Sequence, residues 1–299
     1  MLLKDRFLLM IYVLKILIFL FPLFLSAETI TVKTEAPQNR NAVFQYRVPK
    51  GYDKNRREMY RVLVLFGGRN TNGKADASGR MGWGEWCDKN GIFLVAPGLK
   101  NDNYWEPKEW SGRALRNALQ KLKSKYNICT DKVFYYGYSA GSQASNLFAA
   151  WHTDFCRAWV SHACGVFHEP TVKMKDIPGL VTCGDADQAR YIISRNFVEQ
   201  SRKKGINIIW KSFPNHSHDV PPDSLKLARA FLSYYHDLYQ EDLVKDVRHK
   251  YERKVAYIGD DQEGVYYPKD SVEAKNILLE DRVEFPDKSI AEAWGKSAK

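Results

Sequence analysis

The alternation of apolar and polar positions divides the chain into a regular series of short segments. Residues 29–32 (Thr-Ile-Thr-Val) and 43–48 (Val-Phe-Gln-Tyr-Arg-Val) alternate and predict opening strands with one buried face. Residues 61–66 (Arg-Val-Leu-Val-Leu-Phe) are apolar on both sides and stop at Gly67-Gly68, which suits a parallel strand covered on both faces. The same reading holds for 92–96, which end at Pro97-Gly98, and for 133–136, 157–161, 180–183 and 206–213. Between these strands lie segments of helical spacing. One covers 81–90 and is stopped by Gly91. Another covers 112–126, with Leu115, Leu119 and Leu122 on one face and Ser111 as its N-cap. Further helices are predicted over 142–152, after the 180–183 strand through Arg202, and over 223–239.

Strands and helices in strict alternation predict an α/β fold, a mostly parallel central sheet with helices on both faces. No internal repeat is visible. Beyond residue 240 the pattern changes. A charged helix leads to a hairpin across 255–267, centred on Asp260-Asp261-Gln262-Glu263-Gly264, then to a short helix and a last turn through Trp294. This tail is too short and polar for an independent core, so it is expected to dock on the body. The expected organisation is a leader over 1–27, an α/β domain over 28–240 and a docked C-terminal extension over 241–299.

The leader reading rests on the first residues. Lys4, Arg6 and Lys15 are basic, residues 16–25 are apolar apart from one proline, and Ser26-Ala27 offers small residues for cleavage. That order is a secretory signal, which predicts a secreted or periplasmic protein. A retained anchor is the competing reading, but Lys15 within the span would cost about 2.5–3.5 kcal/mol. Membrane contact is therefore expected only through this segment, if it is left uncleaved.

Charge is uneven along the 299 residues. Between residues 28 and 236 there are 31 basic against 19 acidic side chains, and from 237 to the end 11 against 15. A basic body favours acidic surfaces or anionic polymers at long range, although solubility alone also accounts for it. There is no arginine-rich cluster or nucleic-acid motif, so nucleic acid is not an expected partner. The five cysteines have spacings unlike a zinc site and allow one or two disulfides in an exported protein.

The strongest chemical signal is Gly137-Tyr138-Ser139-Ala140-Gly141, lying between a buried strand and a helix. A sharp strand-to-helix turn lifts a serine hydroxyl clear of the sheet and tolerates only small neighbours. The following helix points free N–H groups at developing negative charge. Ser139 is therefore the candidate nucleophile. It needs a base, and the base needs an orienting acid. Gly184-Asp185-Ala186-Asp187 and Asn215-His216-Ser217-His218-Asp219 lie just past the last two strands, at the sheet edge where catalytic groups gather. Asp187 is preferred to Asp185 because the turn begun at Gly184 must carry the carboxylate towards the histidine. His218 is preferred to His216 because it is nearer Pro221-Pro222 and the final helix. A metal bound by this i, i+2 histidine pair is the weaker reading, since no third ligand is evident. The oxyanion hole is assigned to the N–H groups of Ala140 and Gly68. Gly67-Gly68 as a close-packing pair is the alternative. Trp105 and Trp110 are candidates for a binding wall or for plain core.

These residues resemble the α/β-hydrolase superfamily over roughly 43–239. Within it they look most like secreted esterases such as polyhydroxybutyrate depolymerases and feruloyl or acetyl-xylan esterases. The resemblance is carried by Phe66-Gly67-Gly68, by Asn90-Gly91-Ile92 running to Pro97, by Asp131-Lys132-Val133 running into the serine motif, and by His218-Asp219-Val220-Pro221-Pro222 before a helix. Members usually carry His-Gly where this chain has Phe66-Gly67, and the tail lies outside the shared pattern. The resemblance implies a serine esterase acting through a Ser139–Asp187–His218 triad and an acyl-enzyme, with no cofactor and no metal. Only residues 165–178 are available for a lid, which suits bulky or polymer-borne esters. A serine peptidase of the same fold and a non-catalytic binding protein are the rival readings. The topology also suggests bridges between Cys129 and Cys156, which precede consecutive strands, and between Cys164 and Cys183 at the opposite strand ends.

Overall fold

The computed structural model describes residues 27–34, 41–98, 106–245 and 251–298. The leader through residue 26 and Trp105 fall outside the described residues. Eight strands form the main sheet: β1 (Glu28–Lys33), β2 (Asn41–Arg47), β3 (Arg61–Phe66), β4 (Ile92–Pro97), β5 (Val133–Tyr138), β6 (Cys156–His162), β7 (Gly179–Gly184) and β8 (Ile208–Phe213). Their order is β1-β2-β4-β3-β5-β6-β7-β8. Strands β3 to β8 run parallel, while β1 and β2 are antiparallel additions at one edge. The connecting helices are α1 (Lys74–Ala77), α2 (Trp83–Asn90), α3 (Gly112–Lys123), α4 (Ala140–Trp151), α5 (Gln188–Lys203) and α6 (Pro222–Asp237).

The period-2 geometry of a strand explains why the apolar runs are continuous. Val62, Val64 and Phe66 join a core with α3, α4 and α5 on one face, and Leu63 and Leu65 join a core with α2 and α6 on the other. Trp110 is 2% exposed and belongs to the first core. Ser111 is not an N-cap. Its dihedrals are helical (φ −68°, ψ −31°), because the wide turn Pro107–Ser111 runs directly into α3.

Buried arginines gather at the N-terminal ends of the strands. Arg61 donates to the carbonyls of His236, Leu238 and Tyr239, and Arg157 to those of Tyr235 and Leu238. These are carbonyls that the end of α6 leaves without helical partners. Asp242, 7% exposed, pairs with Arg157 at 3.3 Å.

The tail comprises α7 (Asp242–Lys245), β9 (Tyr257–Asp260), β10 (Val265–Pro268), α8 (Val272–Asn276), β11 (Arg282–Phe285), α9 (Lys288–Trp294) and β12 (Lys296–Ser297). The strands form a second sheet in the order β11-β9-β10-β12. Tyr266, Val283, Phe285, Ile290 and Trp294 extend the same core that α2 and α6 cover. Trp294 Nε1 donates to the Trp210 carbonyl at 2.6 Å, and Lys211 lies 4.4 Å above its ring.

All five cysteines are free thiols, so neither expected disulfide forms. Cys156 is buried in the core on the α3 side. Cys129 is also buried, and its backbone N donates to the Tyr60 carbonyl at 2.8 Å. Cys164 turns its Sγ to the Val166 carbonyl at 3.0 Å.

Candidate active site

The turn between β5 and α4 holds Ser139 at φ 57° and ψ −125°, a conformation a serine adopts only at a cost of about 1–3 kcal/mol. The flanking glycines permit it. A Cβ on Gly137 would lie 2.0 Å from the Gly141 carbonyl oxygen, and one on Gly141 would lie 2.0 Å from that of Phe66. Ser139 N donates to the His162 carbonyl at 3.0 Å, and Ser142 N donates back to the Ser139 carbonyl at 2.9 Å, so the turn is fixed from both sides.

Asp187 and His218 arrive on loops joined to each other. Asp185 N donates to the Phe213 carbonyl, and Ala186 N to that of His216. Asn215 N donates to Asp185 Oδ1 at 2.8 Å, so the Asp185 carboxylate is occupied by backbone. Ser139 Oγ lies 2.8 Å from His218 Nε2, and His218 Nδ1 lies 2.7 Å from Asp187 Oδ2. With Nδ1–H donated to the carboxylate, Nε2 is left to accept from the serine hydroxyl. His216 does not reach the serine; its Nδ1 lies 2.9 Å from Asp219 Oδ2.

Three further side chains hold this arrangement, and the sequence reading did not single them out. Tyr138 stacks on the His218 ring at 5.4 Å and donates its hydroxyl to the His218 carbonyl at 3.1 Å. Arg190 donates to Asp187 Oδ1 at 3.0 Å. His162 is buried at the end of β6, with Nε2 2.7 Å from the Asp219 carbonyl and Nδ1 2.7 Å from Thr182 Oγ1. A backbone carbonyl only accepts, so Nε2 carries the proton and the threonine hydroxyl donates to Nδ1. Burial lowers the pKa of this imidazole to about 4, keeping it neutral. Arg190 had a sequence signal, since it follows Asp187 by three positions at a helix start, one helical neighbour away. Tyr138 was visible as the variable residue of the serine motif. His162 had only its place at a strand end.

Gly67 and Gly68 turn out to have different roles. A Cβ on Gly67 would collide with the Asp76 carboxylate at 2.3 Å, so this glycine serves close packing. Gly68 meets no such collision. A Cβ there would lie 3.7 Å from the Tyr138 ring and 4.0 Å from Ser139 Cβ, which puts its backbone beside the serine. Asp76 is fully buried and bonds Thr71 Oγ1 at 2.7 Å and Arg80 at 2.6 Å, anchoring the loop that carries Gly68. Ala140 is the first residue of α4, where an N–H has no intrahelical acceptor.

The thiols nearest the site are not rival nucleophiles, because burial pushes Cys164 and Cys183 up to about 12. A cleft of about 230 Å3 opens beside the serine, lined by Arg69, Ser139, Ala140, Gln143, Gly165 and Arg190. Another of about 260 Å3, lined by Trp110, Trp151 and Arg113, lies elsewhere and holds none of these catalytic candidates. Between β6 and β7 there is only the short turn Val172–Asp176, so no helical cap is inserted there.

No family model matches the chain, and no curated protein does. Solved structures do. A thermostable esterase aligns at 17% identity over 74% of this chain and 63% of its own, with a TM-score of 0.55. This chain thus spans under two thirds of that esterase. A ferulic acid esterase from Anaeromyces mucronatus aligns at 16% identity over 71% of this chain and 90% of its own, with a TM-score of 0.53. A poly(3-hydroxybutyrate) depolymerase from Bordetella parapertussis aligns at 16% identity over 75% of this chain and 90% of its own, with a TM-score of 0.54. At such identities the likeness is one of fold. The chain has the α/β-hydrolase fold.

Proposed function

We propose that this chain is an exported serine esterase that hydrolyses carboxylic esters, among them acyl groups carried on polymers, through a covalent acyl-enzyme. The observation that carries the reading is the continuous hydrogen-bonded path from Ser139 Oγ through His218 to Asp187, at 2.8 and 2.7 Å. His218 Nε2 accepts the serine proton as Oγ attacks the ester carbonyl. Asp187 holds the imidazole tautomer and stabilises the imidazolium, and Arg190 holds Asp187. The N–H groups of Ala140 and Gly68 receive the oxyanion. His218 then protonates the leaving alcohol, and a water molecule activated by the same imidazole releases the acid. The uncapped cleft supports bulky or polymer-borne substrates, as does the likeness to a ferulic acid esterase and a poly(3-hydroxybutyrate) depolymerase. The basic, apolar, small-residue order of the leader supports export to the periplasm or beyond. In this reading residues 28–240 are the catalytic domain and 241–299 an extension that completes its core.

Labelling with a fluorophosphonate probe tests the chemistry. The expected result is stoichiometric labelling that Ser139→Ala abolishes, with short p-nitrophenyl esters turned over faster than peptide anilides. A folded protein that takes no label belongs to the non-catalytic reading. Faster turnover of the anilides makes it a peptidase.

A further inference from the structure

We infer that the cleft beside Ser139 selects esters bearing a carboxylate, held between Arg69 and Arg190. The inference rests on the esterase reading above and adds the chemical class of its substrate.

Only Ala140 and Gly165 are apolar here, while Arg69, Gln143 and Arg190 all present N–H donors, and no carboxylate lines the cleft. Arg69 directly follows Gly68 and is exposed, with no ion-pair partner among the described residues. Arg190 commits Nη1 to Asp187, and its Nε comes within 3.9 Å of where a side chain would begin at Gly165. Arg190 is itself one of the residues that line the cleft.

The nearby acids are already engaged. Asp219 is taken by His216 at 2.9 Å, Asp185 by Asn215 N at 2.8 Å, and Asp76 by Arg80 at 2.6 Å. The cleft thus keeps one free guanidinium and one shared with Asp187. That charge matches a monoanion better than a dianion. Guanidinium forks meet a carboxylate with paired, charge-assisted hydrogen bonds. The basic balance of residues 28–236 draws the same substrates at long range.

The carboxylate has two possible sources, the acyl part or the alcohol part of the ester, and the test has an arm for each. The p-nitrophenyl monoester of adipic acid is compared with the same compound capped as its methyl ester, and 4-acetoxybenzoate with its methyl ester. Each rate is normalised to hydroxide hydrolysis. The expected result is a kcat/KM about tenfold higher for the anion in one arm, the scale of a charge-assisted hydrogen bond or two. The arm that responds identifies which part of the ester carries the charge. Arg69→Gln brings that ratio close to one, Arg69→Lys retains part of it, and high salt shrinks it. Damage to the oxyanion loop would slow both members of a pair and leave the ratio alone. The inference is overturned if the capped esters match the anions in both arms, or if Arg69→Gln leaves the ratio where it was. Fluorophosphonate labelling separates the two levels. Labelling with equal ratios sinks only the carboxylate clamp, whereas no labelling removes the esterase reading and the clamp with it.

Discussion

The two ends of the same parallel strands are built on opposite terms. At the N-terminal end, Arg61 opens β3 and Arg157 is the second residue of β6; both are buried and donate to carbonyls at and just past the end of α6, and Arg157 also pairs with Asp242. At the C-terminal end, β5 runs into Ser139 at positive φ, and β7 and β8 run into loops held by Tyr138, His162 and Arg190. One end satisfies helix carbonyls and fastens the fold. The other stores backbone strain and leaves a serine, bonded to an imidazole, beside a cleft that two arginines also line. Substitutions at the first end should change stability and leave turnover per folded molecule alone. At the second they should do the reverse.

The largest effect is expected at the strained end. Asp187→Asn should lower kcat about 10⁴-fold, because the imidazole then loses its tautomer and its charge partner. His216→Ala, two positions from the base, should leave ester turnover intact. Steady-state kinetics on one p-nitrophenyl ester reads both, and equal losses would contradict the assignment of His218. Next comes the fastened end. Asp242→Asn leaves Arg157 and Arg61 as neighbouring buried cations and should cost about 3–5 kcal/mol in urea denaturation. Burial first, and then Arg157, already lower the Arg61 pKa to about 10, so the strain has a direction before the change is made. Unchanged stability in this variant would undo the contrast between the ends.

A third effect concerns pH and involves both ends. Burial lowers His162 near the serine and His236 at the end of α6 from 6.5 to about 4. In that window the unfolded chain binds protons that the folded one refuses, so the stabilising contribution is present above 6.5 and is lost as pH falls towards 4. Urea denaturation at several pH values should show stability falling through this range. His162→Gln should flatten the slope, since glutamine can still donate to the Asp219 carbonyl but does not titrate.

Ser139 was legible in the sequence because its constraint is local: a buried strand, a turn that admits only glycine at two positions, and a helix. The choice between His216 and His218 was harder to read. Both lie in one short loop, and which ring faces the serine depends on how that loop is bonded to 184–187. The cysteine pairings failed for a related reason. Sequence order put Cys129 and Cys156 before consecutive strands but gave no information on how closely the two sulfurs approach. Ser111 looked like a cap by residue type, yet the turn before it was already helical. The tail looked too polar to fold alone, and its apolar residues are spent on the α2 and α6 core.

By itself the sequence determined the alternation of strands and helices, the parallel sheet and the position of the serine turn. Those follow from periodicity and from steric limits acting over a few residues. Only the tertiary structure decided the hydrogen-bonded path from Ser139 to Asp187, the different surroundings of Gly67 and Gly68, and the placing of Arg69 and Arg190 on one cleft. Each of these is a distance between side chains brought together from separate loops, set by packing across the sheet and by no local preference of the chain.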